Sequence, residues 1–280
     1  MIPNFDLDDF VRRVLAEDLG TGGDVTSAAT IDAEARFRAE MNCREPIVVA
    51  GIGIAEAFFR ALDADVKIDT ALSDGDQVQA GTVLMRLEGN ARAMLTAERS
   101  ALNTLQHLSG IATLTRRYVD GIAGTSAVLL DTRKTIPGLR VLEKYATRMG
   151  GAQNHRMRLD DGMLIKDNHV AVNGGVAAAV RLAKAANTGL QVQVEVDRID
   201  QIEPALAAGA DRLLLDNMSN DELREAVALV AGRVPLEASG GVNLDTIRGI
   251  AETGVTYISV GRITQSAPAV DIGLDFALVS

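Results

Sequence analysis

Tryptophan is absent from this chain of 280 residues, and only three tyrosines and six phenylalanines are present. Proteins that grip single-stranded nucleic acid stack its bases on aromatic rings, so that class of partner loses ground. Surplus positive charge is missing as well. The formal net charge is −10, which speaks against a polyanionic polymer but leaves room for a small anion in a local basic pocket. A single cysteine, Cys43, excludes an intrachain disulfide and points to a reducing cytosol. Cys43 has no special spacing to any histidine and reads as a small buried hydrophobe. No apolar run approaches the roughly 20 residues of a membrane-spanning helix. The acidic opening MIPNFDLDDF lacks the basic start and apolar core of a signal peptide. The expected setting is therefore cytoplasmic, with neither nucleic acid nor membrane as partner.

The 47% hydrophobic and 24% charged residues are those of a globular protein. The length fits one large domain or two smaller ones. Residues 7–19 are predicted to form a helix with an apolar stripe of Phe10, Val11, Val14 and Leu15. The glycine-rich EDLGTGGDVTS ends it, 34–50 is strand-like, and IAEAFFRALD returns to helical spacing. SDGDQVQAGTVLMRLEG has the look of a carrier hairpin, but LEGNARA offers no lysine for a prosthetic group, so it is read as scaffold. Residues 92–122 predict a long helix joining two domains, with Gly110 placed to interrupt it.

Thereafter six short apolar runs, VLLDTR, MLIKDN, VQVEV, RLLLD, PLEAS and YISVG, alternate with helical stretches. Such alternation predicts βαβ units and a parallel sheet. From Glu195 to Asp216, Ser239 and Gly261 the steps are nearly constant, which favours an α/β barrel over an open sheet, although six strands fall short of the usual eight. A dinucleotide fold is disfavoured because no G-x-G-x-x-G follows the first strand.

The runs end in polar or glycine residues: Asp131, Arg133 and Lys134; Lys166 and Asp167; Glu195; Asp216; Ser239; Gly261. In a barrel these ends converge on one mouth, which is where such folds keep their chemistry. Between Arg133 and Lys166 lie eight Lys or Arg residues, numbers 133, 134, 140, 144, 148, 156, 158 and 166, against Glu143, Asp160 and Asp161. Arg140, Lys144 and Arg148 fall at four-residue spacing and read as a solvated helix face. Arg133, Lys134, Arg156 and Lys166 remain to hold a ligand with more than one anionic group. Glu195 and Asp216 on neighbouring strands suit Mg²⁺, a hard cation that takes oxygen ligands; pairing with Lys134 and Lys166 is the plainer alternative. No His/Cys cluster has zinc spacing. SGGVN and SVGRIT place glycine loops after the last two strands, where backbone N–H groups and a helix start can cradle a phosphate.

These motifs resemble the quinolinate phosphoribosyltransferase family. The resemblance runs through EDLGTGGDVT, AERSALNTLQHLSGIAT, DTRKTIPGLR, EKYATRMGGAQNHRMRLDDGMLIKDNH, LLLDNM, LEASGGV and ISVG, in order along nearly the whole chain. It implies an N-terminal α/β sandwich over 1–110, with the tail 266–280 packing back on it. An incomplete α/β barrel of about six parallel strands follows over 111–265. It implies transfer of a phosphoribosyl group from phosphoribosyl pyrophosphate to quinolinate, with loss of CO₂ and pyrophosphate, in NAD synthesis and with Mg²⁺. It implies a homodimer or larger assembly with shared sites, in which Arg99 reaches into the partner's mouth. Lys134, Lys166, Glu195 and Asp216 are then the catalytic group, with Glu195 and Asp216 also the metal ligands. Arg99, Thr132, Arg133, His155 and Arg156 belong to substrate binding. So do Ser239, Gly240, Gly241, Val260, Gly261 and Arg262, the last standing where the family often has a small residue. His107 is expected to be structural, and His169 either structural or a ligand. Three rivals remain open at this point: a transport-associated paralogue of the same fold, a Schiff-base aldolase using Lys134 or Lys166, and a non-catalytic binding protein.

Overall fold

The computed structural model describes residues 2–3 and 5–278. Its strands in chain order are β1 (Arg36–Cys43), β2 (Ile47–Val48), β3 (Lys67–Asp69), β4 (Gln77–Val78), β5 (Val83–Asn90), β6 (Val128–Leu130), β7 (Met163–Ile165), β8 (Val192–Val196), β9 (Arg212–Asp216), β10 (Leu236–Ser239), β11 (Tyr257–Ser259) and β12 (Ile272–Leu278). The helices are α1 (Leu7–Leu19), α2 (Val25–Thr30), α3 (Ile52–Leu62), α4 (Ala91–Gly121), α5 (Arg140–Met149), α6 (Asp167–Val172), α7 (Val176–Ala185), α8 (Ile202–Ala207), α9 (Asn220–Val230), α10 (Ile247–Ala251) and α11 (Arg262–Gln265). Two compact units result. The first takes residues up to Leu114, Val141–Gly151 and the segment from Ala267 on; the second takes Thr115–Arg140 and Ala152–Ser266.

The first unit is built on an antiparallel sheet in the order β12-β1-β5-β3, with a separate β2-β4 pair. The stretch over β4 and β5 is thus no hairpin, because its strands pair elsewhere. β1 lies between β5 and β12, and its Met41 and Cys43 are fully buried. α1 buries Phe10, Val11 and Leu15 and is opened by Asp6, whose carboxylate accepts the N–H of Asp9, satisfying a donor that the helix leaves orphaned. Of the tail, residues 279 and 280 lie outside the described residues, and β12 closes the sheet beside β1. α4 passes through Gly110 without a break. The glycine answers a different demand: a Cβ there would stand 2.1 Å from the carbonyl oxygen of Pro268, where the tail crosses the helix.

The second unit is a six-stranded parallel sheet in the order β6-β11-β10-β9-β8-β7. The first strand lies beside the last, which is barrel order, and β6 and β7 leave the ring unclosed. Gln153 bridges to Leu130 at the β6 edge. Each run foreseen as a strand is one. They are short, carry buried apolar residues, and lead into polar or glycine residues at their C-terminal ends, as parallel strands covered by helices allow.

Lys144 overturns the reading of α5 as a solvated face. It is fully buried, as are Glu143 and Thr147. The four-residue spacing of basic residues is real, but only Arg148 of the three stands in the open. Arg140 donates to Thr135 Oγ1 (3.1 Å) and to the carbonyl of Met157 (3.1 Å). Within the first unit, buried Glu143 takes His107 Nε2 at 2.9 Å, so His107 has a structural partner.

Candidate active site

The C-terminal ends of the parallel strands surround a cavity of about 730 Å³. Thr132, Arg133, Lys134, His155, Arg156, Lys166, Glu195, Asp216, Ser239, Gly240, Gly241, Val260, Gly261 and Arg262 all line it. Arg99 does not. It is exposed on the α4 portion of the first unit.

The basic wall is assembled from two loops. After β6, Thr132 Oγ1 accepts the N–H of Lys134 (3.0 Å), and Thr264 Oγ1 donates to the Lys134 carbonyl (2.7 Å). The Lys134 stem lies over Gly261, where a Cβ would come within 2.6 Å of it. Asp131, wholly buried, accepts the His155 N–H (2.8 Å) and the Asn154 side-chain amide (2.6 Å). That anchors the loop carrying Arg156, whose Nη1 donates to the Gly162 carbonyl (2.9 Å). Burial and the neighbouring Arg133 charge both pull the Arg156 guanidinium below its ordinary pKa. Nε of Arg133 is buried without a hydrogen-bond partner. Two guanidinium groups that repel one another beside an unfilled donor make a site that wants an anion.

The opposite wall is acidic. Lys166 Nζ approaches Glu195 Oε2 at 3.3 Å. Even so, burial pushes the Glu195 carboxyl above its ordinary value, and nearby Asp216 adds to the rise. Asp216 is likewise raised by burial, with Lys166, the side-chain amide of Asn217 and Lys134 pulling the other way. Two half-buried carboxylates whose burial is only partly offset by Lys166 and Lys134 have the oxygen chemistry that Mg²⁺ takes, with water or phosphate oxygens filling the rest of its shell. Among the described residues no group of three or more His, Cys, Asp or Glu stands close enough to form a metal cage. His169 belongs to the frame of this wall: its Nδ1 accepts the Lys166 N–H (3.0 Å) and opens α6.

The floor between β9 and β10 is set by one close approach. Gly240 has φ +96°, and a Cβ there would fall 2.1 Å from Asn217 Oδ1. Asn217 itself takes a left-handed backbone (φ 56°) and donates its N–H to the Ser239 carbonyl (2.9 Å). The glycine loops are where the sequence puts them. The helix starts are weaker than foreseen, since α10 begins only at Ile247 and α11 has four residues. Any phosphate cradle here rests on loop N–H groups more than on a helix dipole.

Sequence reasoning missed a polar layer on the inner face of the sheet: Gln193, Arg212 and Glu237. The signal was available. Each lies two or four positions before Glu195, Asp216 or Ser239, and alternation puts such residues on the same face of a strand.

Comparison with known proteins agrees with this architecture. The N-terminal domain model of quinolinate phosphoribosyl transferase matches residues 24–109, and the C-terminal domain model matches 111–275. The chain is 44% identical over 275 residues to the nicotinate-nucleotide pyrophosphorylase [carboxylating] of Mycobacterium leprae, covering 95% of this chain and 96% of that one. It is 41% identical to the mitochondrial quinolinate phosphoribosyltransferase [decarboxylating] 2 of Nicotiana glauca, covering 97% and 82%. The solved nicotinate-nucleotide pyrophosphorylase of Francisella tularensis superposes with a TM-score of 0.93 at 41% identity, covering 99% of both chains.

Proposed function

The chain belongs to the quinolinate phosphoribosyltransferase family, and from that premise we propose that its barrel mouth joins quinolinate to phosphoribosyl pyrophosphate. Nicotinate mononucleotide, pyrophosphate and CO₂ are the products, in the synthesis of NAD. The observation that carries this reading is the division of one cavity into a basic wall with an unfilled Arg133 donor and an acidic wall of raised carboxyls. A planar dicarboxylate suits the first, and a cationic ribose flanked by a metal-bound pyrophosphate suits the second.

In this reading Arg133, Arg156, Lys134 and His155 orient the two carboxylates of quinolinate. Glu195 and Asp216 would hold Mg²⁺, which when bound supplies positive charge to the departing pyrophosphate. As that bond lengthens, the ribose carbon gains cationic character. Glu195 and Asp216 oppose that charge while Lys134 and Lys166 face the leaving group. One such preorganised group is worth roughly 3–4 kcal/mol to a transition state. Attack by the ring nitrogen makes a pyridinium, whose positive charge stabilises the electron pair left on the adjacent ring carbon when its carboxylate departs as CO₂; a proton from water then completes the C–H bond there. No protein nucleophile is needed. Lys166 is paired with Glu195 at 3.3 Å, and the Schiff-base alternative through Lys134 or Lys166 is tested by borohydride trapping with substrate. Backbone N–H groups around Ser239, Gly240, Gly241, Val260 and Gly261, with Arg262 beside them, take the 5-phosphate. Arg99 of the partner subunit would complete each mouth in a dimer or larger assembly. The buried lone thiol of Cys43 supports placing the protein in the cytosol, and among the described residues no helix is long and apolar enough to cross a membrane.

The direct test supplies quinolinate, phosphoribosyl pyrophosphate and Mg²⁺ and follows nicotinate mononucleotide by absorbance, with nicotinate in parallel. Product is expected from quinolinate alone, and a chelator is expected to abolish it. Turnover of nicotinate, or undiminished turnover with chelator, would defeat the substrate or the metal assignment respectively.

A further inference from the structure

Beneath the mouth, Glu237 is 1% exposed. Its Oε2 accepts from Arg212 Nη2 (2.6 Å) and Gln193 Nε2 (2.8 Å), and it stands 3.4 Å from His155 Nε2. Its Oε1 is buried with no hydrogen-bond partner. Arg212 in turn lies over the Tyr257 ring, 3.9 Å from its centre. Buried ion pairs are poor stabilisers compared with apolar residues of the same volume, and an unfilled buried oxygen adds to the cost. A carboxylate kept here calls for a reason beyond packing.

His155 supplies that reason. The Arg156 backbone N–H, which can only donate, points at His155 Nδ1 from 2.7 Å. Nδ1 is therefore the acceptor nitrogen, and the ring proton sits on Nε2. Nε2 faces Gln193 Oε1 at 3.0 Å. Gln193 can present its oxygen there because its amide nitrogen is committed to Glu237. The order of command thus runs from Glu237 to Gln193, from Gln193 to the imidazole, and from the imidazole to the backbone of Arg156.

We infer that Glu237 is a positioning residue for the transfer reaction: through Gln193 it fixes the tautomer of His155, which holds Arg156 in place on the basic wall. The inference rests on the functional reading above for its consequence, which is selective loss of quinolinate binding. The chain has only three histidines, so protein labelled with ¹⁵N in histidine gives few ring signals, and His107→Asn and His169→Asn assign them by subtraction. The unsubstituted protein is expected to show His155 with its proton on Nε2. Glu237→Gln and Gln193→Met are each expected to disturb that signature and to raise the KM for quinolinate about tenfold. The KM for phosphoribosyl pyrophosphate and kcat should change by less than about threefold. Gln193→Met leaves the Glu237–Arg212 pair intact, so it decides the matter if Glu237→Gln fails to fold. Folded variants with an unchanged His155 signature and unchanged quinolinate KM would overturn the inference, as would a native His155 protonated at Nδ1. The ring signature needs no turnover. A protein that makes no nicotinate mononucleotide would therefore sink the assigned reaction while the ring signature still decides this point.

Discussion

At the scale of single residues, the most consequential feature is that Glu195 and Asp216 hold their protons more tightly than free carboxyls do. For a carboxyl whose pKa rises on folding, stability is greatest below the unfolded value and is lost as pH climbs through the folded one. The ligand-free protein is thus expected to be strained at neutral pH by the very groups it needs for chemistry. Glu195→Gln removes one of them. It should raise the melting temperature of the ligand-free protein at pH 7 by about 1–3 °C while lowering kcat by about a hundredfold. The stabilisation should shrink as pH falls towards about 4, where the native carboxyl is protonated too. Half-exposed Lys166 loses its partner in this variant, but water takes over that role at small cost. Thermal melts at the two pH values, with a turnover assay, check all three statements.

At the scale of elements, the floor of the site depends on two loops that touch. Gly240→Ala would drive a methyl into Asn217 Oδ1 and impose a side chain on a left-handed backbone. It should destabilise the protein by about 1–3 kcal/mol and cut activity through displacement of Asp216, the immediate neighbour of Asn217. Chemical denaturation and steady-state rates would show it, and a variant indistinguishable from the parent would mean the loops can part freely. This is also the scale at which the sequence is most legible. All six parallel strands could be read from it, because a short apolar run that ends in a polar residue and recurs between helices fits little besides a buried parallel strand. The strand-end residues of the mouth followed from the geometry of barrels, whereas Thr132, His155 and Val260 came with the family resemblance. Strand alternation puts Gln193, Arg212 and Glu237 on the mouth-facing side, but their pairing, like that of Lys144, did not follow, because a charged or polar group inside an apolar run is read as surface until its partners are known. Those partners lie on other strands or helices, and no local pattern announces them. Gly110 was misread for a related reason: what demands a glycine there is Pro268, far along the chain.

At the scale of the whole molecule, the proposed shared site makes a sharp prediction. Arg99→Ala and Lys134→Ala should each be nearly inactive alone. Mixed under subunit exchange they should regain about a quarter of native activity, since half the dimers are hybrids and each hybrid has one site with both residues. No recovery, with exchange verified by mass, would leave Arg99 without a part in the partner's mouth.

β12 closes the first unit, yet its Asp275 meets Asn42 across 233 residues of chain. On a ribosome these are separated in time. Until β12 emerges, β1 stands as a bare sheet edge, the kind of surface that pairs with strangers. The first unit is thus begun before the second and completed after it. A nascent chain stalled anywhere in the second unit would carry an open strand, and the interval before its closure is when a chaperone would matter most.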